Sequence, residues 1–173
     1  STRRGAPSSF VRGLPSAGYE ADDFLAAAAR RETERGGQTL VVTSDRYSFQ
    51  LAGPSVTILL PKRGVHELER VGPAEVRERY GVEPEQVPDF IALRGDPSDG
   101  LPGVAGIGEK TASTLLAQHG SLENILAAAH DPKSTLSKAH RTKLLAATDY
   151  IERAGPVVRV ATDAPVTLST ADD

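Results

Sequence analysis

The most specific signal in the sequence is the stretch Leu101-Pro102-Gly103-Val104-Ala105-Gly106-Ile107-Gly108-Glu109-Lys110-Thr111-Ala112. Its three glycines allow the backbone to approach a partner closely. The pattern predicts a helix that begins near Gly108, and the first amides of a helix are free to bind an anion. Lys110 in the first turn does not suit the helix dipole, so a nucleic-acid phosphate explains it better than helix stability does. A glycine-rich connector between two helices is the alternative interpretation.

The DNA-binding candidates in this stretch are therefore Gly103, Gly106, Gly108, Lys110 and Thr111. Two nucleotide-binding loops match the same residues only in part. A P-loop is suggested because Gly103 and Gly108 bracket four residues, but Glu109 is inserted before Lys110 and the segment follows no buried strand. A dinucleotide-binding loop would need a third glycine at Thr111. Both alternatives are disfavoured.

Acidic residues precede this stretch in the turn Gly95-Asp96-Pro97-Ser98-Asp99-Gly100. A structural turn explains one aspartate better than it explains two at a fixed spacing. Asp45 directly follows a predicted strand, and ligands collect at the carboxyl ends of strands in open α/β sheets. A turn residue that bonds its own backbone is an equally good interpretation of Asp45.

Three more carboxylates, Glu20, Asp22 and Asp23, crowd the start of a predicted helix. Acidic residues in a first turn ordinarily stabilise the helix end. Three such charges repel one another unless a cation shares them. If they converge with Asp45, Asp96 and Asp99, the result is a site for hard cations, the kind that two-metal nucleases use to hydrolyse phosphodiesters.

Periodicity and glycine or proline punctuation divide the chain into an α/β part and a helical part. In the first part we predict helix Glu20–Arg35 and strands at Gln38–Thr43, Val56–Leu60 and around Val65–Val71, then helix Pro73–Tyr80. In the second part we predict helices Pro84–Arg94, Gly108–His119, Leu122–Ala129 and Ser134–Arg153, with an edge strand at Val157–Val160. The predicted organisation is an irregular lead-in over 1–18, an α/β core over 19–81, a helical subdomain over 82–155, and an edge strand and tail over 156–173.

Bulk composition limits the classes of function. The 173 residues are 39% hydrophobic and 25% charged, as in a globular protein, and no apolar run is long enough for a membrane span. No leader or lipidation signal opens the chain, which starts without methionine as a fragment would, and we expect a cytoplasmic monomer. With no cysteine, any metal must be held by oxygen or imidazole. A net charge of −3 argues against coating DNA by charge alone but allows local phosphate contacts.

Four motifs in this order resemble the bacterial 5′-nuclease family, which includes the 5′→3′ exonuclease domain of DNA polymerase I and stand-alone flap nucleases. The motifs are Gly18-Tyr19-Glu20-Ala21-Asp22-Asp23, Ser44-Asp45-Arg46 with Gln50-Leu51, Gly95 to Gly103, and Gly106 to Ala112. The form Gly-Asp-Pro-Ser-Asp-Gly-Leu-Pro-Gly is similar to the actinobacterial stand-alone branch. The resemblance extends from about Gly18 to about Val160.

The resemblance implies a PIN-like α/β core fragment followed by an all-α helix-hairpin-helix subdomain. It implies that two Mg²⁺ or Mn²⁺ ions are held, directly or through water, by Glu20, Asp22, Asp23, Asp45, Asp96 and Asp99. Of these, Asp22, Asp23 and Asp45 are the candidate catalytic residues. It also implies that the hairpin holds branched, flapped or nicked duplex DNA with help from K⁺ bound by loop carbonyls.

Two departures from the family pattern affect the expected activity. Tyr47 stands where the pattern has a second aspartate two positions after the one that matches Asp45, and tyrosine does not replace a carboxylate as a metal ligand. Family members also carry a region before the motif that matches Glu20, so the chain resembles an N-terminally truncated member. We therefore predict a metal-dependent 5′→3′ exonuclease or 5′-flap endonuclease with impaired activity, and the alternative is a catalytically inactive, structure-selective DNA-binding module.

Overall fold

The computed structural model describes residues 9–11, 21–63, 66–159 and 168–170, with side chains for 23–63 and 66–159. Its strands and helices follow in chain order: β1 (Ser9–Val11), α1 (Ala21–Glu34), β2 (Thr39–Val42), β3 (Val56–Pro61), β4 (Leu68–Val71), α2 (Pro73–Tyr80), α3 (Val87–Arg94), α4 (Glu109–His119), α5 (Leu122–His130), α6 (Lys138–Ala146), α7 (Thr148–Val158) and β5 (Leu168–Thr170). Short 3₁₀ helices cover Arg46–Leu51, Pro84–Gln86 and Pro97–Asp99. Within the described residues, no helix is long and apolar enough to cross a membrane.

The α/β part is a three-stranded sheet in the order β2-β3-β4. Strands β2 and β3 are parallel, with Val41 opposite Ile58, and β4 runs antiparallel to β3. The predicted parallel strand is therefore present as β2. The described residues cover only one of its faces: Val41 is buried, whereas Leu40 and Val42 are more than half exposed. Successive side chains of a strand point to opposite faces, so an apolar run does not by itself show that both faces are covered.

The helical part is arranged around α3, whose apolar side chains are buried almost completely. Helices α4 and α7 pack directly on α3, and α5 packs between α4 and α6. The start of α3 is joined to two other elements by Asp89, which is 5% exposed. Its carboxylate accepts a hydrogen bond from the Leu122 amide at 3.0 Å and forms an ion pair with Arg159 just beyond α7.

The C-terminal elements differ from their predicted form. The single helix expected over Ser134–Arg153 is two helices, α6 and α7, with a break at Ala147, where ψ is 8°. The sequence conceals the break because Leu144 and Ile151, one heptad apart, are both buried as they would be in one continuous helix. Ser137 begins α6 by accepting a hydrogen bond from the His140 amide.

The predicted edge strand at Val157–Val160 is also wrong, because Val157 and Val158 form the last turn of α7 and Val160 lies outside the described residues. The helix continues through Pro156, which leaves the carbonyl of the exposed residue Glu152 without its helical hydrogen bond. The lead-in, predicted to be irregular, contains β1, and the predicted tail contains β5; the two strands pair antiparallel with Phe10 opposite Ser169.

Candidate functional site

A pocket of about 540 Å³ lies between the 3₁₀ helix that follows β2 and the turn that follows α3. Its wall includes Asp45 from the α/β part, Asp96 and Asp99 from the turn, and Glu109 from the first residue of α4. These carboxylates are up to 64 positions apart in the chain, from Asp45 to Glu109. The 3₁₀ helix and α3 contact each other directly, and this packing brings them together.

Asp45 lies in the pocket because the chain turns there from β2 into the 3₁₀ helix. It is the N-cap of that helix, and its Oδ1 accepts a hydrogen bond from the Tyr47 amide at 2.9 Å. Its own amide donates to the Thr43 hydroxyl at 3.0 Å. Asp45 therefore combines the two roles that the sequence left open: it caps a turn with one carboxylate oxygen and lines the pocket.

Asp96 is held by the turn that it begins. Its backbone exchanges hydrogen bonds with Leu101, and its Oδ1 accepts from both the amide and the hydroxyl of Ser98. The Ser98 hydroxyl is the main reason that the pKa of Asp96 lies below its ordinary value, with smaller contributions from Tyr47 and the Arg94 guanidinium. Hydrogen bonds to a carboxylate favour its charged form, so Asp96 enters the pocket as an anion.

Tyr47 extends from the 3₁₀ helix towards this turn. Its hydroxyl donates a hydrogen bond to Asp96 Oδ2 at 3.3 Å and also interacts with Asp99. Burial raises the pKa of the Tyr47 phenol most, and the two neighbouring carboxylates raise it further. The sequence identified this position only as a lost carboxylate, and the contact across 49 residues gave no sequence signal.

Two arginines, Arg46 and Arg94, also line the pocket, and sequence reasoning did not predict Arg94 there. The Arg94 guanidinium lies over the rings of Phe90 and Tyr80, with its central carbon 5.0 and 5.7 Å from the ring centroids. It forms an ion pair with Glu109 at 3.0 Å. The only local signal was its place in the last turn of α3, where basic residues are common for helix stability alone. The pocket is thus mixed in charge, and Arg94 ties it to the start of α4.

The first glycine of the hairpin stretch has an internal role. Gly103 has φ +75°, and a Cβ added to it would lie 2.8 Å from the Gly95 amide nitrogen and closer still to the Arg94 carbonyl oxygen. Its amide donates to the Tyr150 hydroxyl at 3.1 Å, and that hydroxyl donates in turn to the carbonyl of Ala92 at 2.7 Å. The partner that Gly103 approaches is therefore its own chain, at the C-terminal end of α3.

The later part of the stretch is open to solvent. Gly108 is the N-cap of α4 with no side-chain cap, and a Cβ added there would meet nothing within 4 Å. The first helical hydrogen bond of α4 is from the Ala112 amide to the Gly108 carbonyl, so the amides of Glu109, Lys110 and Thr111 have no acceptor within the helix. The N-cap serines of α5 and α6 accept hydrogen bonds from amides of the first turn. The N-terminus of α4 lacks this cap and is suited to bind an anion.

Gly106 lies at the tip of the loop with φ +82° and is exposed. Its carbonyl accepts a hydrogen bond from the Lys143 ammonium at 3.3 Å. Lys110 is exposed on the first turn of α4, and Thr111 beside it is partly exposed. In the loop where a bound K⁺ was expected, an ammonium group of the protein thus already contacts one carbonyl.

Of the remaining acidic candidates, only Asp23 has a described side chain, and it does not line this pocket. Asp23 is partly buried in the first turn of α1. The backbone of Asp22 belongs to α1, but its side chain is not described, and Glu20 lies outside the described residues. Of the six predicted ligands, the structure therefore brings three together: Asp45, Asp96 and Asp99.

The described carboxylates do not by themselves fit the divalent ions that the resemblance implies. Among the residues the structure describes, no three Asp, Glu or His side chains are close enough to hold an ion. One oxygen of Asp45 faces its own turn, and both oxygens of Asp96 accept hydrogen bonds from Ser98 or Tyr47. Mg²⁺ requires near-octahedral oxygen ligands and tolerates such competition poorly. Additional ligands would have to come from residues outside the described set.

Comparison with solved structures supports the fold. A T5 5′-exonuclease mutant matches with a TM-score of 0.68 at 22% identity, covering 82% of this chain and 55% of that one. A T5 5′-exonuclease with bound divalent zinc ions matches with a TM-score of 0.67 at 21% identity, covering 82% of this chain and 50% of that one. The predicted fold class, an α/β nuclease core followed by a helical subdomain, is confirmed.

Sequence comparison identifies the family. Residues 10–81 match the family model described as "5'-3' exonuclease, N-terminal resolvase-like domain". Residues 82–172 match the family model described as "5'-3' exonuclease, C-terminal SAM fold". A 5'-3' exonuclease of Mycobacterium tuberculosis is 53% identical over 163 residues, which are 90% of this chain and 51% of that protein. DNA polymerase I of Mycobacterium bovis is 50% identical over 113 residues, which are 65% of this chain and 12% of that protein. The chain thus spans about half the length of the first of these relatives, and on both of its parts it belongs to the 5'-3' exonuclease family.

Proposed function

We propose that this chain is part of a metal-dependent 5′→3′ exonuclease or 5′-flap endonuclease that acts on DNA in replication and repair. One observation carries the proposal: Asp45, Asp96 and Asp99 share a pocket whose wall also contains Glu109, the first residue of the uncapped helix α4. A phosphate bound at the start of α4 would therefore lie beside the acidic pocket. The names of the relatives, 5'-3' exonuclease and DNA polymerase I, support the same activity.

The binding half of this function is assigned to the N-terminal end of α4. Free amides and the exposed Lys110 would hold one strand of a duplex by its phosphates, which positions DNA without reading its sequence. Because the chain as a whole carries a net charge of −3, binding would depend on this local surface rather than on general attraction. We propose that the protein acts as a monomer on branched, flapped or nicked duplex.

The hydrolytic half requires a divalent ion, and we propose Mg²⁺ or Mn²⁺. The solved T5 structures with zinc, and with DNA and metal ions, support a metal requirement. Since the described carboxylates do not complete an ion site, Glu20 and Asp22 are proposed as further ligands.

A second candidate, an inactive structure-selective DNA-binding module, is favoured by one specific observation. Tyr47 makes a hydrogen bond to Asp96 where the family pattern has a carboxylate. Such a module would retain the α4 interface and lack cleavage.

Binding is tested first, in EDTA, so that cleavage plays no part. The 173-residue chain is titrated against a fluorescein-labelled 5′-flap duplex and a single strand of the same length, with fluorescence anisotropy as the readout. Lys110→Glu is expected to weaken duplex binding about tenfold. It should also reduce the slope of the logarithm of the binding constant against the logarithm of the salt concentration by about one, the loss of one phosphate contact. Lys62→Glu makes the same charge change in an exposed turn after β3 and is the matched control. Equal binding by the parent chain and Lys110→Glu contradicts the assigned interface.

Cleavage is tested next with the same flap substrate and Mg²⁺ or Mn²⁺. Metal-dependent release of the flap that disappears in Asp45→Asn supports the nuclease. Flap binding without release by the parent chain, at any metal concentration, supports the binding module instead.

A further inference from the structure

The Tyr47 hydroxyl lies between two carboxylates that the sequence assigned to a cation. Its oxygen lies 3.3 Å from Asp96 Oδ2, and the Asp99 carboxylate also interacts with it. Two carboxylates this close to one donor would otherwise repel each other. The hydroxyl thus reduces their repulsion, which is the electrostatic role that an ion would have.

We propose that the Tyr47 hydroxyl closes the Asp96–Asp99 carboxylate pair to divalent ions, so that this side of the pocket is held by hydrogen bonds instead of by metal. The inference rests on the proposed function for the identity of the expected ion. It implies that one of the two ions predicted from the sequence has no tight site in this chain.

Asp96 has little capacity left for an ion. Its Oδ1 accepts two hydrogen bonds from Ser98, and its Oδ2 accepts the one from Tyr47. Mg²⁺ binds oxygen at about 2.0–2.1 Å in near-octahedral geometry, so it would have to displace the phenol and rearrange the turn. The guanidinium of Arg94, which also lines the pocket, adds a positive charge that further opposes a cation.

The phenol cannot readily move aside. Its ring packs against the hydrophobic core. The Tyr47 amide is held by Asp45 at 2.9 Å, and the Tyr47 carbonyl accepts from the Gln50 side chain at 2.7 Å. Gln50 also donates to the Val158 carbonyl at the end of α7, which ties this turn to the helical part. Tyr47 is therefore positioned by both parts of the chain.

The test measures Mn²⁺ binding to the full chain without DNA, from the loss of the free-ion signal in electron paramagnetic resonance. Tyr47→Phe keeps the ring and removes the donor, and it is expected to bind Mn²⁺ about tenfold more tightly, as the loss of one hydrogen bond to a charged group implies. Tyr47→Asp, which adds a carboxylate, should bind at least as tightly as Tyr47→Phe. Adding Asp99→Asn to Tyr47→Phe should cancel the gain.

Tyr80→Phe is the matched control. Tyr80 also carries a buried hydroxyl, but that hydroxyl has no hydrogen-bond partner among the described residues, so its removal should leave Mn²⁺ binding unchanged. Thermal unfolding by circular dichroism verifies that each variant is folded. If Tyr47→Phe binds Mn²⁺ no more tightly than the parent chain, the proposal is wrong. This result is independent of the proposed function, which stands or falls on flap binding in EDTA and on cleavage.

Discussion

Substitutions at two glycines of the same loop should affect folding stability and DNA binding separately. Gly103 has φ +75° and lies against the backbone of Arg94 and Gly95, whereas Gly108 has an ordinary extended φ of −94° and open space around it. We therefore compare Gly103→Ala with Gly108→Ser. The first change should destabilise the protein, and the second should leave it folded but weaken its hold on DNA.

The expected magnitudes follow from these surroundings. A left-handed conformation costs alanine about 1–2 kcal/mol. A Cβ that lies 2.8 Å from the Gly95 nitrogen and closer to the Arg94 carbonyl forces the backbone to shift, which costs about 1–3 kcal/mol more. We expect a total loss of about 3 kcal/mol for Gly103→Ala, or a fall in Tm of about 6–12 °C for a chain of this size.

Gly108→Ser acts differently because serine is a good N-cap. Its hydroxyl should accept a hydrogen bond from an amide in the first turn of α4, so stability should change by no more than about 0.5 kcal/mol. The same hydroxyl would occupy an amide that we assign to DNA phosphate, and the added Cβ would lie on the binding surface. Flap-duplex affinity should fall about tenfold.

Stability is measured by urea unfolding followed by far-UV circular dichroism, because the chain contains no tryptophan. DNA affinity is measured by anisotropy in EDTA. Unfolding of Gly103→Ala at the same urea concentration as the parent chain would refute the packing argument. Unchanged DNA affinity in Gly108→Ser would refute the assignment of the α4 N-terminus to phosphate.

Two further predictions concern stability and titration. Asp89→Ala should lower the free energy of unfolding in urea by about 3 kcal/mol, because it leaves the Leu122 amide without its acceptor and breaks an ion pair whose acidic member is buried. Glu34→Gln, which breaks an exposed ion pair, should lower it by less than about 0.5 kcal/mol. Ser98→Ala should raise the pKa of Asp96 towards its ordinary value, measured by carbon NMR of the carboxyl group. Because the pKa of Asp96 is lowered in the folded state, ionised Asp96 stabilises the protein above about pH 4, and this stabilisation is lost as the pH falls through the folded pKa. Ser98→Ala should make the loss of stability in acid smaller.

The sequence alone located most of the regular elements, because their signals are local. Helix α2 begins at Pro73 and is ended by Gly81, which has φ +71°, as the proline and glycine predict. Strand β3 and helices α4 and α5 also lie where periodicity predicts them. The motifs identified the family for the same reason, since each is read from a few adjacent residues. Where the local pattern was ambiguous, as at Ala147, the predicted continuous helix was wrong.

The composition of the site was decided by tertiary structure. Packing of the 3₁₀ helix after β2 against α3 brings Asp45 to Asp96 and gives Tyr47 a partner 49 residues away. Sequence spacing carries no information about such a contact, because it depends on how whole elements are oriented against one another. The sequence likewise indicated that Gly103 needs a close approach, but only the fold shows that the approach is to the end of α3, while Gly108 remains open to solvent.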